Sequence, residues 1–102
     1  MIDGLVAGRL VGVAEMRDGK NATQFAVAKV RAAGGDGDLV LVNVIAFAPE
    51  ACAALLALHD GDALSLAGAL TPKVWTDKQG NTKPVLDMVA GKVLAIHSLS
   101  DQ

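Results

Sequence analysis

A single tryptophan and a group of lysines lie close together in the second half of the chain. Trp75 is the only tryptophan in a sequence with two phenylalanines and no tyrosine, and Lys73, Lys78 and Lys83 lie near it. An indole offers a face on which a nucleobase can stack, and ammonium groups attract phosphates. This combination is typical of surfaces that hold single-stranded nucleic acid. The alternative is a tryptophan that covers the end of a barrel, beside lysines that keep a hairpin soluble.

Residues 68–89 are predicted to form a long β-hairpin that positions these side chains. Two runs of strand-forming residues flank a polar loop that contains Asp77, Gly80 and Asn81. A polar loop with glycine between two such runs is typical of a hairpin. Trp75 would then stand at the mouth of the loop.

The hairpin also contains a motif of regularly placed residues. The run from Trp75 to Val89 reads W-T-D-x-x-G-x-x-K-x-x-x-D-x-V. It resembles the hairpin between the fourth and fifth strands of bacterial single-stranded DNA-binding proteins. Further segments fall in the order of that family and at about its spacing: AGRLV at 7–11, Glu15 and Arg17, QFAVA at 24–28, VNVIAF at 42–47 and GDALSLAGAL at 61–70.

The elements read along the chain as strand, strand, strand, helix, strand, strand. That order is typical of the OB-fold, an all-β, five-stranded Greek-key barrel, here with one short α-helix between strands 3 and 4. In this fold, strands 2 and 3 and the loops that join strands 1 to 2 and 4 to 5 bind oligonucleotides. The pattern and the resemblance together predict an OB-fold over residues 1–98, followed by a short polar end at 99–102.

The predicted helix covers residues 48–58. Pro49 and Glu50 suit its first turn, alanines and leucines follow, and Gly61 marks the chain after its end. Cys52 is the only cysteine, so the chain can form neither an intrachain disulfide nor a zinc site with several cysteines. We expect Cys52 to pack in the core.

The first two strands have irregular patterns. Gly4, Gly8 and Gly12 recur every four residues in an apolar stretch, which favours a strongly coiled strand with bulges. In the second strand, Phe25 and Val27 share one face while Val30 falls on the other. We therefore expect a bulge near Ala28 that would keep the core intact and point Lys29 and Arg31 outward.

The third strand covers residues 39–47 and is apolar on both faces. The resemblance assigns Leu41, Asn43, Ile45 and Phe47 to the binding face. Leu41 and Pro84 replace aromatic residues that many members of the family carry, so stacking is expected to be weaker. The predicted DNA-binding residues combine these family positions with the cations around them: Trp75, Phe47, Lys73, Lys78, Lys83, Arg17, Lys20, Lys29 and Arg31.

The charge is distributed unevenly. The net charge is −2, but residues 34–62 carry five acidic residues and no lysine or arginine. If this segment forms one end of the domain, the cations gather elsewhere. His59, Asp60 and Asp62 lack the spacing of a tetrahedral metal site, and the acidic loop at 33–38 lacks the pattern of a calcium loop. The sequence predicts no metal and no other cofactor.

These observations predict sequence-independent binding of single-stranded DNA in replication, recombination or repair, by base stacking and phosphate contacts. No residue distinguishes DNA from RNA. An enzyme is not expected, because the chain has no catalytic triad motif, phosphate loop or convergent carboxylate pair. The alternative is an OB-fold subunit similar to the primosomal replication proteins, which lack the acidic tail of the DNA-binding family and would act mainly through protein assembly. Replication or primosome proteins are the protein partners that the resemblance implies.

Apolar residues make up 52% of the sequence and charged residues 20%. This surplus, together with a long apolar first strand at residues 2–13, predicts a homo-oligomer, a tetramer or a dimer. No apolar run approaches the roughly 20 residues of a membrane helix, and the sequence starts without a signal-peptide pattern. We therefore expect a cytoplasmic, nucleoid-associated bacterial protein that does not bind membranes.

Overall fold

Five strands and one short helix make up the described part of the chain. The computed structural model describes residues 2–33, 37 and 39–96. The elements are β1 (Ile2–Asp18), a 3-10 turn (Lys20–Ala22), β2 (Gln24–Ala33), β3 (Leu39–Ala46), α1 (Pro49–Leu56), β4 (Ala63–Thr76) and β5 (Thr82–Ala95). This order confirms the prediction. The predicted polar end at 99–102 and most of the glycine-rich connection at 33–38 lie outside the described residues.

The five strands close into a barrel in the order β1-β2-β3-β5-β4. All neighbouring strands are antiparallel except β3 and β5, which are parallel. Strand β1 closes the barrel because it pairs with two neighbours: residues 2–9 pair with β4 and residues 9–18 with β2. A closed five-stranded barrel with a helix between β3 and β4 is an OB-fold, as predicted.

Strand β1 changes partner at Arg9 and has a bulge shortly after it, around Gly12. The pairing between β1 and β2 shifts register between Val11 and Glu15, and Gly12 has a φ of 72°, a conformation that a residue with a Cβ rarely adopts. The Gly12 N–H donates a hydrogen bond of 2.7 Å to the Asp60 carboxylate, and the Arg9 guanidinium donates one of 2.9 Å to the Gly61 carbonyl. The loop after α1 thereby holds the bend, and the predicted bulge in the glycine-containing strand is confirmed.

The core lies inside the barrel and beneath α1. The largest fully buried side chains belong to the strands and the helix: Leu10, Val30, Val42, Leu55, Leu64, Leu66 and Met88. Ala51, Cys52 and Leu55 are the buried residues of the helix, which has eight residues. The Cys52 thiol lies 3.1 Å from the Ala46 carbonyl, to which it donates a hydrogen bond, so its predicted place in the core is confirmed. In the described residues, no helix is long and apolar enough to cross a membrane.

The predicted bulge at Ala28 is wrong. Strand β2 pairs with β3 in an unbroken register, and the register shift between β1 and β2 lies on β1. Alternate residues of β2 are buried throughout, and the inward face consists of Ala26, Ala28, Val30 and Ala32. Phe25 and Val27 therefore lie on the outer face together with Lys29 and Arg31. Small side chains fill the inside of this strand because a narrow barrel leaves little room there.

Candidate nucleic-acid interface

The outer faces of β2 and β3 form one continuous surface. In the register between them, Val27 lies opposite Ile45, Lys29 opposite Asn43, and Arg31 opposite Leu41. These side chains point away from the core because alternate residues of each strand, such as Val42 and Val44, are buried inside the barrel. The outward placement predicted for Leu41, Asn43 and Ile45 is confirmed.

Two concavities lie along this surface and share Lys29 and Asn43, so they join into one groove, which we call the β2–β3 groove. The first has a volume of about 1040 Å³ and includes Arg17 and Lys73 in its walls. The second has a volume of about 910 Å³ and includes Trp75 and Lys83. The apolar residues that line the groove include Val27, Ile45 and Val89 in the first concavity and Leu41 and Val85 in the second. The groove therefore has an apolar floor and mostly basic walls, with the carboxylates of Glu15 and Asp87 in the first concavity.

Trp75 stands at the hairpin end of the groove. The register of β4 and β5 sets it opposite Lys83, and its side chain is 54% exposed. The described residues that line the second concavity include three cations, Lys29, Arg31 and Lys83, and no carboxylate. In the described residues, none of these cations forms a salt bridge. An accessible indole beside such cations can stack a base while its phosphates are neutralised.

The loop at the tip of the hairpin is fixed by Asp77. The Asp77 carboxylate accepts hydrogen bonds of 2.9 Å from the backbone N–H groups of Asn81 and Gln79. These bonds, first that from Asn81, hold the pKa of Asp77 below its ordinary value because they stabilise the ionised form. Gly80 has a φ of 84°, which explains a glycine at this position. The hairpin therefore ends in a defined turn, which starts at Asp77, two residues after Trp75 on β4.

Lys73 forms an ion pair inside the groove. Its ammonium lies 2.6 Å from one oxygen of the Asp87 carboxylate, and the Asn43 amide donates a hydrogen bond of 3.3 Å to the other oxygen. Lys73, and secondarily Asn43, hold the pKa of Asp87 below its ordinary value. The sequence predicted a phosphate contact for Lys73, whereas the structure places its ammonium on a carboxylate.

An aromatic pair lies at the opposite end of β3 from Trp75. The rings of Phe25 and Phe47 are 5.8 Å apart at an angle of 50°, and Phe47 is 48% exposed. Sequence reasoning included Phe47 but missed Phe25, since it assigned Phe25 to the core. The unbroken alternation of small apolar residues at 26, 28, 30 and 32 is the signal that would have placed Phe25 outside.

The remaining predicted residues lie at the margins. Lys20 is in the turn between β1 and β2, and Lys78 is at the tip of the hairpin. The residues that line the two concavities do not include Lys20, Lys78 or Phe47. Arg17 lines the first concavity and lies 3.6 Å from Glu15 on the same strand. The structure thus brings Arg17, Lys29, Arg31, Lys73, Trp75 and Lys83 to one groove.

The described acidic residues of the segment 34–62 line neither concavity. Glu50 is in the first turn of α1, and Asp60 and Asp62 lie in the loop that follows the helix. Asp62 accepts a hydrogen bond of 2.8 Å from the His59 N–H, while Asp60 binds the bulge of β1. Within the described ranges, no group of three histidine, cysteine, aspartate or glutamate side chains is arranged to hold a metal.

Solved structures with the same fold are similar to this chain over nearly its whole length. A small single-stranded DNA-binding protein from Streptomyces coelicolor has a TM-score of 0.73 and 18% identity, covering 99% of this chain and 97% of its own. The mitochondrial single-stranded DNA-binding protein Rim1 from S. cerevisiae has a TM-score of 0.67 and 14% identity, covering 95% and 96%. The SSB of Plasmodium falciparum in complex with ssDNA has a TM-score of 0.67 and 9% identity, also covering 95% and 96%.

No protein-family model and no curated protein matches the sequence. At identities of 9% to 18%, the similarity of the three structures establishes the fold of this chain and nothing further. The resemblance that the hairpin motif predicted is therefore confirmed at that level: the chain has the OB-fold of these single-stranded DNA-binding proteins.

Proposed function

We propose that this chain binds single-stranded DNA in the β2–β3 groove without requiring a particular sequence. One observation carries the proposal: the half-exposed indole of Trp75 ends a groove whose floor is apolar and whose second concavity is lined by Lys29, Arg31 and Lys83. Unpaired bases need apolar and aromatic surface, and their phosphates need cations at the rim. A duplex hides its bases, so it would gain only the second of these contacts.

The two ends of the groove support the same proposal. Trp75 lies at one end, and the pair of Phe25 and Phe47 extends the outer surface past the other. Leu41, which lines the second concavity with Trp75, is six residue steps from Phe47. Six steps of extended strand span about 20 Å. A strand of DNA could therefore stack on an aromatic residue at each end and cross the apolar floor between them.

The comparisons add support from the names of the similar structures. Each of the three is a single-stranded DNA-binding protein, and that of Plasmodium falciparum is in complex with ssDNA. With them, we assign the chain a binding rather than a catalytic role, in DNA replication, recombination or repair. We place it in the bacterial cytoplasm with the nucleoid. We further propose that residues 1–98 form the binding domain.

Fluorescence anisotropy with a labelled dT oligonucleotide tests the proposal. We expect saturable binding that weakens as salt rises, and much weaker binding to a duplex of equal length, because the duplex offers no unstacked bases. A dU oligoribonucleotide tests whether the 2′-hydroxyl matters. Equal affinity for duplex and single strand, or no binding to either, would refute the proposed function.

We also propose that the chain is a homo-oligomer, with a tetramer favoured over a dimer. Residues 2–8 of β1 pair only with β4, so their other edge carries backbone groups that no described strand pairs. Ile2 and Leu5 on this segment are 54% and 81% exposed. An exposed edge this apolar favours pairing with a second copy of the chain. Sedimentation equilibrium at micromolar concentration should show the oligomer, and a monomer alone would contradict it.

A further inference from the structure

A carboxylate stands in the wall of the proposed DNA groove. Asp87 lines the first concavity beside Asn43, which belongs to both concavities. Its side chain is 35% exposed. The other lining residues of this concavity are mostly apolar or basic, among them Ile45, Val89, Lys29 and Lys73. They also include Thr71 and a second carboxylate, Glu15, which lies 3.6 Å from Arg17. The groove thus places the Asp87 carboxylate, next to the Asn43 that both concavities share, on the path along which a polyanion would run.

This carboxylate is held in place as an anion. Lys73 binds one oxygen and Asn43 the other, and both contacts hold its pKa below the ordinary value. A carboxylate has about four lone-pair sites on its two oxygens. Two are used by Lys73 and Asn43, so acceptor positions remain on the exposed side.

A phosphate cannot approach such a group closely, because two anions repel each other. A DNA strand that follows the groove must therefore turn its phosphates toward the other cations, such as Lys29 and Arg31, and present a base to Asp87. A base edge in the first concavity would then meet the Asp87 carboxylate, which accepts hydrogen bonds. The Lys73 ammonium, which donates them, lies 2.6 Å from that carboxylate.

The bases differ in how well they match this pair. Cytosine presents its N4 amino group next to the acceptor N3, and a carboxylate accepts well from that amino group. Thymine presents a carbonyl, O4, at the same place. Asp87 would repel that carbonyl, although Lys73 could still donate to it.

We infer that Asp87, positioned by Lys73 and Asn43, makes the groove prefer bases that carry an exocyclic amino group over thymine. This inference rests on the proposed function, since it describes how the same groove treats different bases. Binding still needs no particular sequence, because stacking on Trp75 and phosphate contacts remain available to every base. The preference is a bias in affinity at one position of the bound strand.

Two oligonucleotides whose bases differ only on this one edge isolate the effect. A 5-methyl-dC oligonucleotide and a dT oligonucleotide both carry the methyl group, and they differ in an amino group and a protonation site on the same edge. At pH 7.5 we expect the parent protein to bind the 5-methyl-dC strand about fivefold or more tightly, the lower range for discrimination at one base. The Asp87→Asn variant should reduce the ratio of the two affinities to within about twofold.

The ratio separates base selection from the change in charge. Asp87→Asn also releases Lys73, so it should bind dT as tightly as the parent or more tightly. Glu50→Gln is the matched control: it removes one negative charge from the first turn of α1, outside both concavities, and should keep the ratio of the parent. Circular dichroism checks that each variant is folded.

The outcomes are distinguishable. A parent ratio near one, or a ratio that Asp87→Asn leaves unchanged, overturns the inference while the proposed function stands. Failure of the parent to bind either strand overturns the proposed function itself. The parent ratio needs no variant, so the inference is open to refutation even if Asp87→Asn does not fold.

Discussion

Lys73 and Lys83, which lie on the two strands of the hairpin, should contribute differently to DNA binding. Lys83 lines the second concavity, where the described lining residues include no carboxylate, whereas Lys73 is 2.6 Å from Asp87. Each phosphate contact adds about 0.7 to the slope of log affinity against log salt for a single strand. Lys83→Ala should therefore lower the magnitude of that slope by about 0.7, which is a fivefold difference over a tenfold range of salt.

Lys73→Ala should lower the slope by less than half as much, since the lysine already has an anionic partner. It should still weaken binding at every salt concentration, because the Asp87 carboxylate is then left without its cation. The double variant Lys73→Ala/Asp87→Asn removes that carboxylate and should regain most of the lost affinity. A recovery larger than the gain that Asp87→Asn gives on its own would show that the two side chains act as a pair.

Anisotropy titrations of a dT oligonucleotide at four or five salt concentrations give these slopes. Lys92→Ala is the matched control, because Lys92 is exposed on β5 and lines neither concavity; its slope should equal that of the parent. If Lys73→Ala and Lys83→Ala lower the slope equally, the Lys73 ammonium moves away from Asp87 in the complex and binds a phosphate instead. If neither lowers it, the groove is not the path of the DNA.

Three further predictions follow from single contacts. Phe47→Ala should weaken dT binding by about fivefold or more, the lower range for loss of one stacked base; unchanged titrations would remove the Phe25–Phe47 pair from the binding surface. Cys52 is buried and should react with a thiol reagent slowly in the native state and quickly after denaturation; fast native labelling would contradict the packing of α1. The Asp77 carboxylate has a lowered pKa, so its stabilisation of the hairpin turn is fully present above the ordinary aspartate pKa of about 3.9. This stabilisation is lost as pH falls through the lower pKa of the folded state. An NMR titration of the Asn81 amide should show a midpoint below about 3.9, and a midpoint above that value would refute the hydrogen bonds.

The barrel could be predicted because local patterns fix its elements. The polar loop with Gly80 predicts the hairpin, Pro49 and the following alanines predict the helix, and the apolar run of β3 predicts a strand covered on both sides. Each of these depends on residues close together in the sequence. The predicted end of the helix lay two residues beyond Leu56, since helix ends are set by local hydrogen bonds.

The inner face of β2 could not be predicted from side-chain size. Phe25 and Val27 are larger than Ala26 and Ala28, which suggested that the larger pair faces the core. In the barrel the reverse holds, because the interior is already filled by the leucines of β1 and β4, such as Leu10 and Leu64. The bulge was wrongly predicted at Ala28 for the same reason, because it was needed to bring Phe25, Val27 and Val30 to the same side of the strand.

The ion pair in the groove also lay beyond sequence reasoning. Lys73 and Asp87 are on different strands, and Asn43 comes from a third. Their meeting depends on the register between β4 and β5 and on the parallel pairing of β3 with β5, which the sequence does not encode locally.

The fluorescence of Trp75 reports directly on whether a base stacks at the end of the groove. Trp75 is the only tryptophan of the chain and is half-exposed at the end of the groove, so its emission reports on that site alone. We predict that saturating dT oligonucleotide lowers this emission, and that Trp75→Ala weakens binding roughly 5- to 100-fold without loss of the fold, as expected for one stacked base. Unchanged emission at saturation, together with parental affinity of Trp75→Ala, would show that no base stacks on Trp75 and that the groove does not bind DNA as proposed.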